Sequence, residues 1–206
     1  MNNSRTRSGL IGISTVGLFL LAISLLAMMS SCAKDSTDKV DEANKKQIEN
    51  QSAAISKDAK ADAVKMAEKM ADLAGMNNTA RSLSEVALQR ATNPQVKAYA
   101  RKVLDGNRQA DNELMQLARS MNLQLPATLT SEGQDRLADL KSTKGGTEFD
   151  LKYLDELGKV SKKSASVADD LNDDGTTEAV KVYGKKATQS LEAQEDAIKQ
   201  LTNVLN

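Results

Sequence analysis

The chain of 206 residues has no histidine and no tryptophan, one cysteine, two prolines and few aromatic rings. Without histidine, neither a Ser-His-Asp nor a Cys-His arrangement can be assembled, which closes the commonest routes to an activated nucleophile. A lone cysteine excludes an internal disulfide and a paired redox site. With so few prolines and no long β-branched alternation, little interrupts or competes with helix. An excess of one charge is missing too. Lys and Arg number 28, Asp and Glu also 28, so nothing favours nucleic acid as a partner. The stretch "KGGTEFD" from position 144 lacks the lysine placement and spacing of a phosphate loop and reads as a helix break.

What is present begins with an address. Arg5 and Arg7 are the only charges in the first 31 residues, and positions 10 to 29 are almost entirely apolar. A short basic region, an apolar run and then Ser30 and Ser31 make the layout of a secretory signal over residues 1–31. Cys32 follows at once, and "MSSC" from position 29 resembles a lipobox with Met where Leu is commoner. The expectation is a bacterial lipoprotein acylated at Cys32 and held in the cell envelope, with the outer membrane or the cell surface as its location. The rival is an uncleaved signal anchor, since a run of this length can span a bilayer. Loss of residues 1–31 removes two arginines and no acid, leaving a net charge near minus two.

Residues 32–56 are rich in Lys, Asp, Glu, Asn, Gln and Ser, and this composition predicts a flexible tether. Residues 57–206 suit one helical domain. Apolar residues recur at three- and four-residue steps: Val96, Tyr99, Val103, Ala110 and Leu114 in one stripe, then Phe149, Tyr153, Leu157 and Val160 in another. Tyr183, Ala187, Leu191, Ile198 and Leu201 mark a third, and Ala80, Leu83, Ala87 and Ala91 a shorter one after a weak helical stretch over 58–74. Asn93 with Pro94 predicts one helix start. Ser131 with Gln134 has capping-box spacing for a short helix, and Thr147 is a candidate cap for the next. The fold expected is all-α: an antiparallel four-helix bundle with a short extra helix between the second and third long ones.

The segments around 91–94, 96–100, 112–114 and 125–126, together with "EFDLKYLDEL" at 148–157, resemble domain-of-unknown-function family 4142, exported helical bundles described as ferritin-like. The family commonly carries Asp-His pairs in its second and third long helices, a His in the last and a Glu in the first. By that resemblance the histidines fall on Gly106, Ser161 and Gln194 and the glutamate on Ala80. Asp105 survives, and Val160 replaces the second acid. The resemblance thus implies a divergent member whose ligand positions hold non-ligands, and no cofactor is expected.

The apolar stripes place Gly106, Ser161 and Gln194 near the bundle interior, where Gln194 needs hydrogen-bond partners such as Ser161, Ser164 or Asn107. This predicts a polar layer that fixes helix register. An oxygen-only metal site would draw on Glu85, Asp105, Glu113, Asp155 and Glu192, which are spaced like solvent-facing charges. The function expected is structural or interactive, not enzymatic, with an envelope protein or polymer as partner. The alternatives are a metal-binding or stress-related bundle, or a small-ligand carrier with a pocket near Gly106 and Gln194.

Overall fold

The computed structural model describes residues 35–206; the expected signal and Cys32 lie outside them. Six helices follow in order: α1 (Ser36–Glu49), α2 (Lys57–Arg90), α3 (Pro94–Ser120), α4 (Ser131–Ser142), α5 (Thr147–Asp174) and α6 (Glu178–Leu205). The long helices α2, α3, α5 and α6 form the expected antiparallel four-helix bundle, with α4 as the short helix between α3 and α5. Its seams are unequal. α5 packs along most of α6, α2 packs closely on α3 and on α5, and α3 meets α6 only sparsely.

Local chemistry sets the helix ends. The Asn93 side chain accepts from the amides of Gln95 and Val96, and Pro94 occupies the first turn, as predicted. Thr177 caps α6 through the Val180 amide. Two starts differ from expectation. Thr130 rather than Ser131 caps α4, accepting from the Gly133 amide at 2.9 Å. Gly146 rather than Thr147 precedes α5, at φ 85° and ψ −158°, a conformation that side-chain-bearing residues avoid. Thr147 is thereby drawn into the first turn.

The 32–56 tether is corrected over its centre. Residues 36–49 form α1, which docks on α2 and buries Thr37, Asn44 and Ile48 on one face. The docking buries Ile48 in the core beside it and adds polar contacts: Asn44 Nδ2 donates to the Gln124 carbonyl at 3.0 Å, and its Oδ1 accepts from the Gln124 amide at 2.8 Å. Asp35 caps α1 and also accepts from the Ser131 amide at 2.6 Å, tying α1 to the start of α4.

α2 is a single 34-residue helix rather than a short stripe after a weak one. Every residue from 73 to 80 is buried, because α1, α3, α4 and α5 surround the middle of α2. The polar residues there are satisfied: Asn77 Nδ2 donates to Asp111, Asn78 Nδ2 to the Pro126 carbonyl, and Thr79 Oγ1 to the Gly75 carbonyl. The core has two ends. One gathers Leu83, Val96, Phe149, Tyr153 and Leu157, and the other Met66, Met70, Leu114, Leu171 and Val180.

Candidate functional site

The positions singled out by the family resemblance separate by environment. Ala80 and Val160 lie in the apolar core. Ser161 is buried on α5, and its Oγ donates to the Leu157 carbonyl while accepting from Gln194 Nε2 of α6. That bond is the expected polar contact across the α5–α6 seam. Gly106 departs from expectation. It is exposed, and a Cβ built on it would meet nothing within 4 Å. The reason is the sparse packing of α3 on α6, which leaves that face of α3 open.

Gly106 and Gln194 nonetheless share one feature, a groove of about 700 Å³ between α3 and α6, floored by Leu73 and Asn77 of α2. Tyrosines from opposite helices bridge the seam. The Tyr99 hydroxyl of α3 donates to the Gln194 carbonyl of α6 at 2.9 Å, and the Tyr183 hydroxyl of α6 donates to the Ala110 carbonyl of α3 at 3.4 Å. Burial raises both phenols above their ordinary range, with Tyr153 adding to the effect at Tyr99 and Asp111 and Glu113 at Tyr183. Both therefore remain donors at physiological pH. Asn107 also lines the groove. It is 7% exposed, and its Nδ2 is closed off from solvent with no hydrogen-bond partner among the described residues.

Residues 50–201 match the family described as Domain of unknown function (DUF4142). The chain belongs to this family. Among solved structures, a crystal structure of a DUF305 fragment from Deinococcus radiodurans superposes with a TM-score of 0.61 at 9% identity. The match covers 67% of this chain and 95% of that one, and at such identity it reflects the fold alone. No curated protein is significantly similar to the chain.

Within the stretch that matches DUF4142, the α2–α3 turn is fastened to the start of α5. Asp150 is fully buried, and its carboxylate accepts from the Thr92 amide, the Thr92 hydroxyl and the Asn93 amide at 2.8 to 3.0 Å. It thus fastens the α2–α3 turn to α5. Phe149 lies beneath the Arg90 guanidinium, 4.5 Å from its ring centre, and Tyr153 is hydrogen-bonded to Ser84 at 2.9 Å. The acids considered for metal are dispersed. Glu113 pairs with Lys186 and Asp155 with Lys159, while Glu85, Asp105 and Glu192 are exposed. Among the described residues, no three acidic or thiol side chains are placed to hold a metal ion.

Sequence reasoning missed the tyrosine bridges, and it offered Asn107 as a partner for Gln194, whereas Gln194 bonds Ser161 and the Asn107 amide is left unpaired among the described residues. Both tyrosines read as core positions in their stripes. The only available signal was Asn107 lying between Val103 and Leu114 on a face otherwise reserved for apolar groups.

Proposed function

We propose that this DUF4142 member is an exported lipoprotein that holds a non-catalytic helical bundle against a membrane of the cell envelope. On this reading residues 1–31 direct export and Cys32 carries the lipid. The outer membrane is its location, and an envelope protein or polymer is the partner of the exposed helix faces. The observation that carries the reading is the single cysteine of the chain, at the join between an apolar run and a polar segment. More than one acyl chain at that residue would make the attachment durable, since each buried methylene contributes about 0.8 kcal/mol. Among the described residues no helix is long and apolar enough to cross a membrane. A non-catalytic role rests on a chain without histidine whose corresponding family positions are Ala80, Gly106, Ser161 and Gln194.

The docking of α1 changes what the anchor does. Asp35 is already fastened to Ser131, so only three Cα steps separate Cys32 from the folded body. At about 3.8 Å per step, the reach is at most about 11 Å whatever the conformation of the intervening residues. The bundle is then a membrane-apposed module rather than one lifted away on a tether.

Mass spectrometry of the mature amino terminus from membranes tests the proposal. The expected species begins at Cys32 and carries fatty acyl mass. A chain retaining residues 1–31 with a free thiol would overturn it.

A further inference from the structure

We propose that α1 is a releasable strap, docked while the carboxyl of Asp41 holds a proton and set free when that carboxyl ionises among Asp38, Glu68 and Asp72. The device belongs to the folded body and is independent of how the chain is anchored.

Little apolar surface holds α1. Of its 14 residues only Ile48 joins the hydrophobic core, and its other buried side chains, Thr37 and Asn44, are polar. The four long helices form the bundle without it, and the end of the core around Phe149 and Tyr153 contains no α1 residue. The remaining ties are polar. Asp35 accepts from the Ser131 amide, Ser36 donates to the Leu129 carbonyl, Asn44 pairs with Gln124, and Lys60 Nζ donates to the Glu49 carbonyl at the far end. On release each of these groups finds water instead, so each adds only modestly to docking. Residues 50–56, which join α1 to α2, are exposed throughout and contain no helix, and so form a ready hinge.

Docking also leaves conflicts unresolved. Thr37 Oγ1 and Asp41 Oδ1 of α1 are closed off from solvent with no hydrogen-bond partner among the described residues. Each loses water and gains nothing in return, which opposes docking. At Asp41 the conflict is electrostatic as well. Asp38 of α1 and Glu68 and Asp72 of α2 all act against its charge, and no cation offsets them there. The cations beside these acids in sequence are turned away or engaged elsewhere. Lys39 is exposed, Lys45 pairs with Glu49 at 4.0 Å, and Lys69 pairs with Asp170 and Asp174 of α5, on the side that Lys65 also lines. Lys163 of α5 tempers Asp72 but not Asp41, and is itself held by Glu132 of α4 at 2.8 Å. The loop at 122–130, on which Asn44 docks, carries no charge.

Burial first and these acids next push the Asp41 pKa up to about 7. A carboxyl that binds its proton more tightly when docked favours docking most below the ordinary carboxylate value. That support is lost as pH rises through about 7. From pH 5.5 to pH 7.5 the docking equilibrium is expected to fall about tenfold. Release returns residues 35–56 to the solvated segment that their composition predicts. The bundle then has two reaches, short when α1 is docked and long when it is free, a consequence that alone rests on the proposed anchoring at Cys32.

The chain has no tryptophan, so one placed on α1 reports on that helix alone. Val40→Trp and, in a second protein, Gln47→Trp put the reporter at half-buried positions of α1. The test is made on the full chain in phospholipid nanodiscs, and its reading is the same whether or not Cys32 is acylated. From pH 5.5 to pH 7.5, emission is expected to move to the red and acrylamide quenching to rise at least threefold. Adding Asp41→Asn is expected to hold both readings at their pH 5.5 values. Glu68→Gln together with Asp72→Asn is expected to shift the midpoint to lower pH. Circular dichroism is expected to show the long helices intact throughout. Should Val40→Trp itself undock α1, Gln47→Trp decides, and exposure of both reporters at pH 5.5 would overturn the proposal. So would emission indifferent to pH, an undiminished response with Asp41→Asn, or a loss of helix greater than α1 can supply.

Discussion

Two helical glycines with opposite surroundings show how much one methyl group decides. Gly184 of α6 faces α5 so closely that a Cβ would overlap backbone atoms of Ala168, Leu171 and Asn172. Backbone cannot swing aside as a side chain can, so Gly184→Ala must push the helices apart. It is expected to lower stability by about 1 to 3 kcal/mol, the usual range for overpacking, in urea or thermal unfolding. Gly106→Ala meets no neighbour, and the same measurement is expected to show a gain of about 0.5 to 1 kcal/mol from reduced backbone freedom in the unfolded chain. Asp150 is the third case. Its buried carboxylate satisfies two amides and a hydroxyl, so Asp150→Ala leaves those donors stranded and is expected to cost about 3 kcal/mol or more. None of these three environments is legible in sequence. A stripe places Gly106 inward as readily as Gly184, and whether a neighbouring helix is present is a tertiary fact.

Element by element, the sequence is most informative where apolar spacing and caps agree. The start of α3 at Asn93 and Pro94 follows from both. It is least informative for α1. Composition marks that segment as solvated because it carries few large apolar groups, yet it docks through Asn44 on the Gln124 backbone, 80 residues away in sequence. Polar, long-range docking leaves no periodic trace. It also makes α1 sensitive to pH. Asp41 of α1 has one carboxylate oxygen closed off from solvent without a partner among the described residues. Burial, aided by Asp72 and Glu68 of α2 and Asp38 of α1, pushes its pKa up to about 7. A carboxyl whose folded value is raised binds its proton more tightly when docked. Docking is therefore weakest above about pH 7 and strengthens as pH falls toward the ordinary carboxylate range. Hydrogen exchange of the α1 amides is expected to slow between pH 7.5 and pH 5.5, after correction for intrinsic exchange. Asp41→Asn should protect α1 at both pH values and flatten the difference. Unchanged pH dependence in that variant would mean that another group sets it.

At the scale of the molecule, the four-helix bundle was readable because its stripes are long and separated by clear breaks. The open α3–α6 seam was not, since one apolar face looks the same whether a neighbour covers it or leaves it bare. The polar segment after Cys32 changes meaning at this scale too. Were Cys32 lipidated as proposed, a coil of that length would let the bundle range roughly 25 to 30 Å from the membrane, but α1 docks on α2 and Asp35 is tied to the Ser131 amide, so residues 35–49 are not free coil. Distance to the bilayer separates these two geometries directly. A fluorophore at Thr128, in the exposed loop beside the Leu129 carbonyl that accepts from Ser36, marks the part of the body nearest residue 35, the end that the proposed lipid at Cys32 would hold to the membrane. Energy transfer to acceptor-labelled lipid headgroups is expected to place it within about 20 Å of the surface, given a reach of about 11 Å plus a dye linker. Insertion of a 24-residue Gly-Ser segment after Ala33 should lengthen that distance and broaden its distribution without changing the melting temperature. Equal distances with and without the insert would mean that the body adheres to lipid through its own surface. A long, broad distribution in the parent chain would mean that α1 undocks at the membrane.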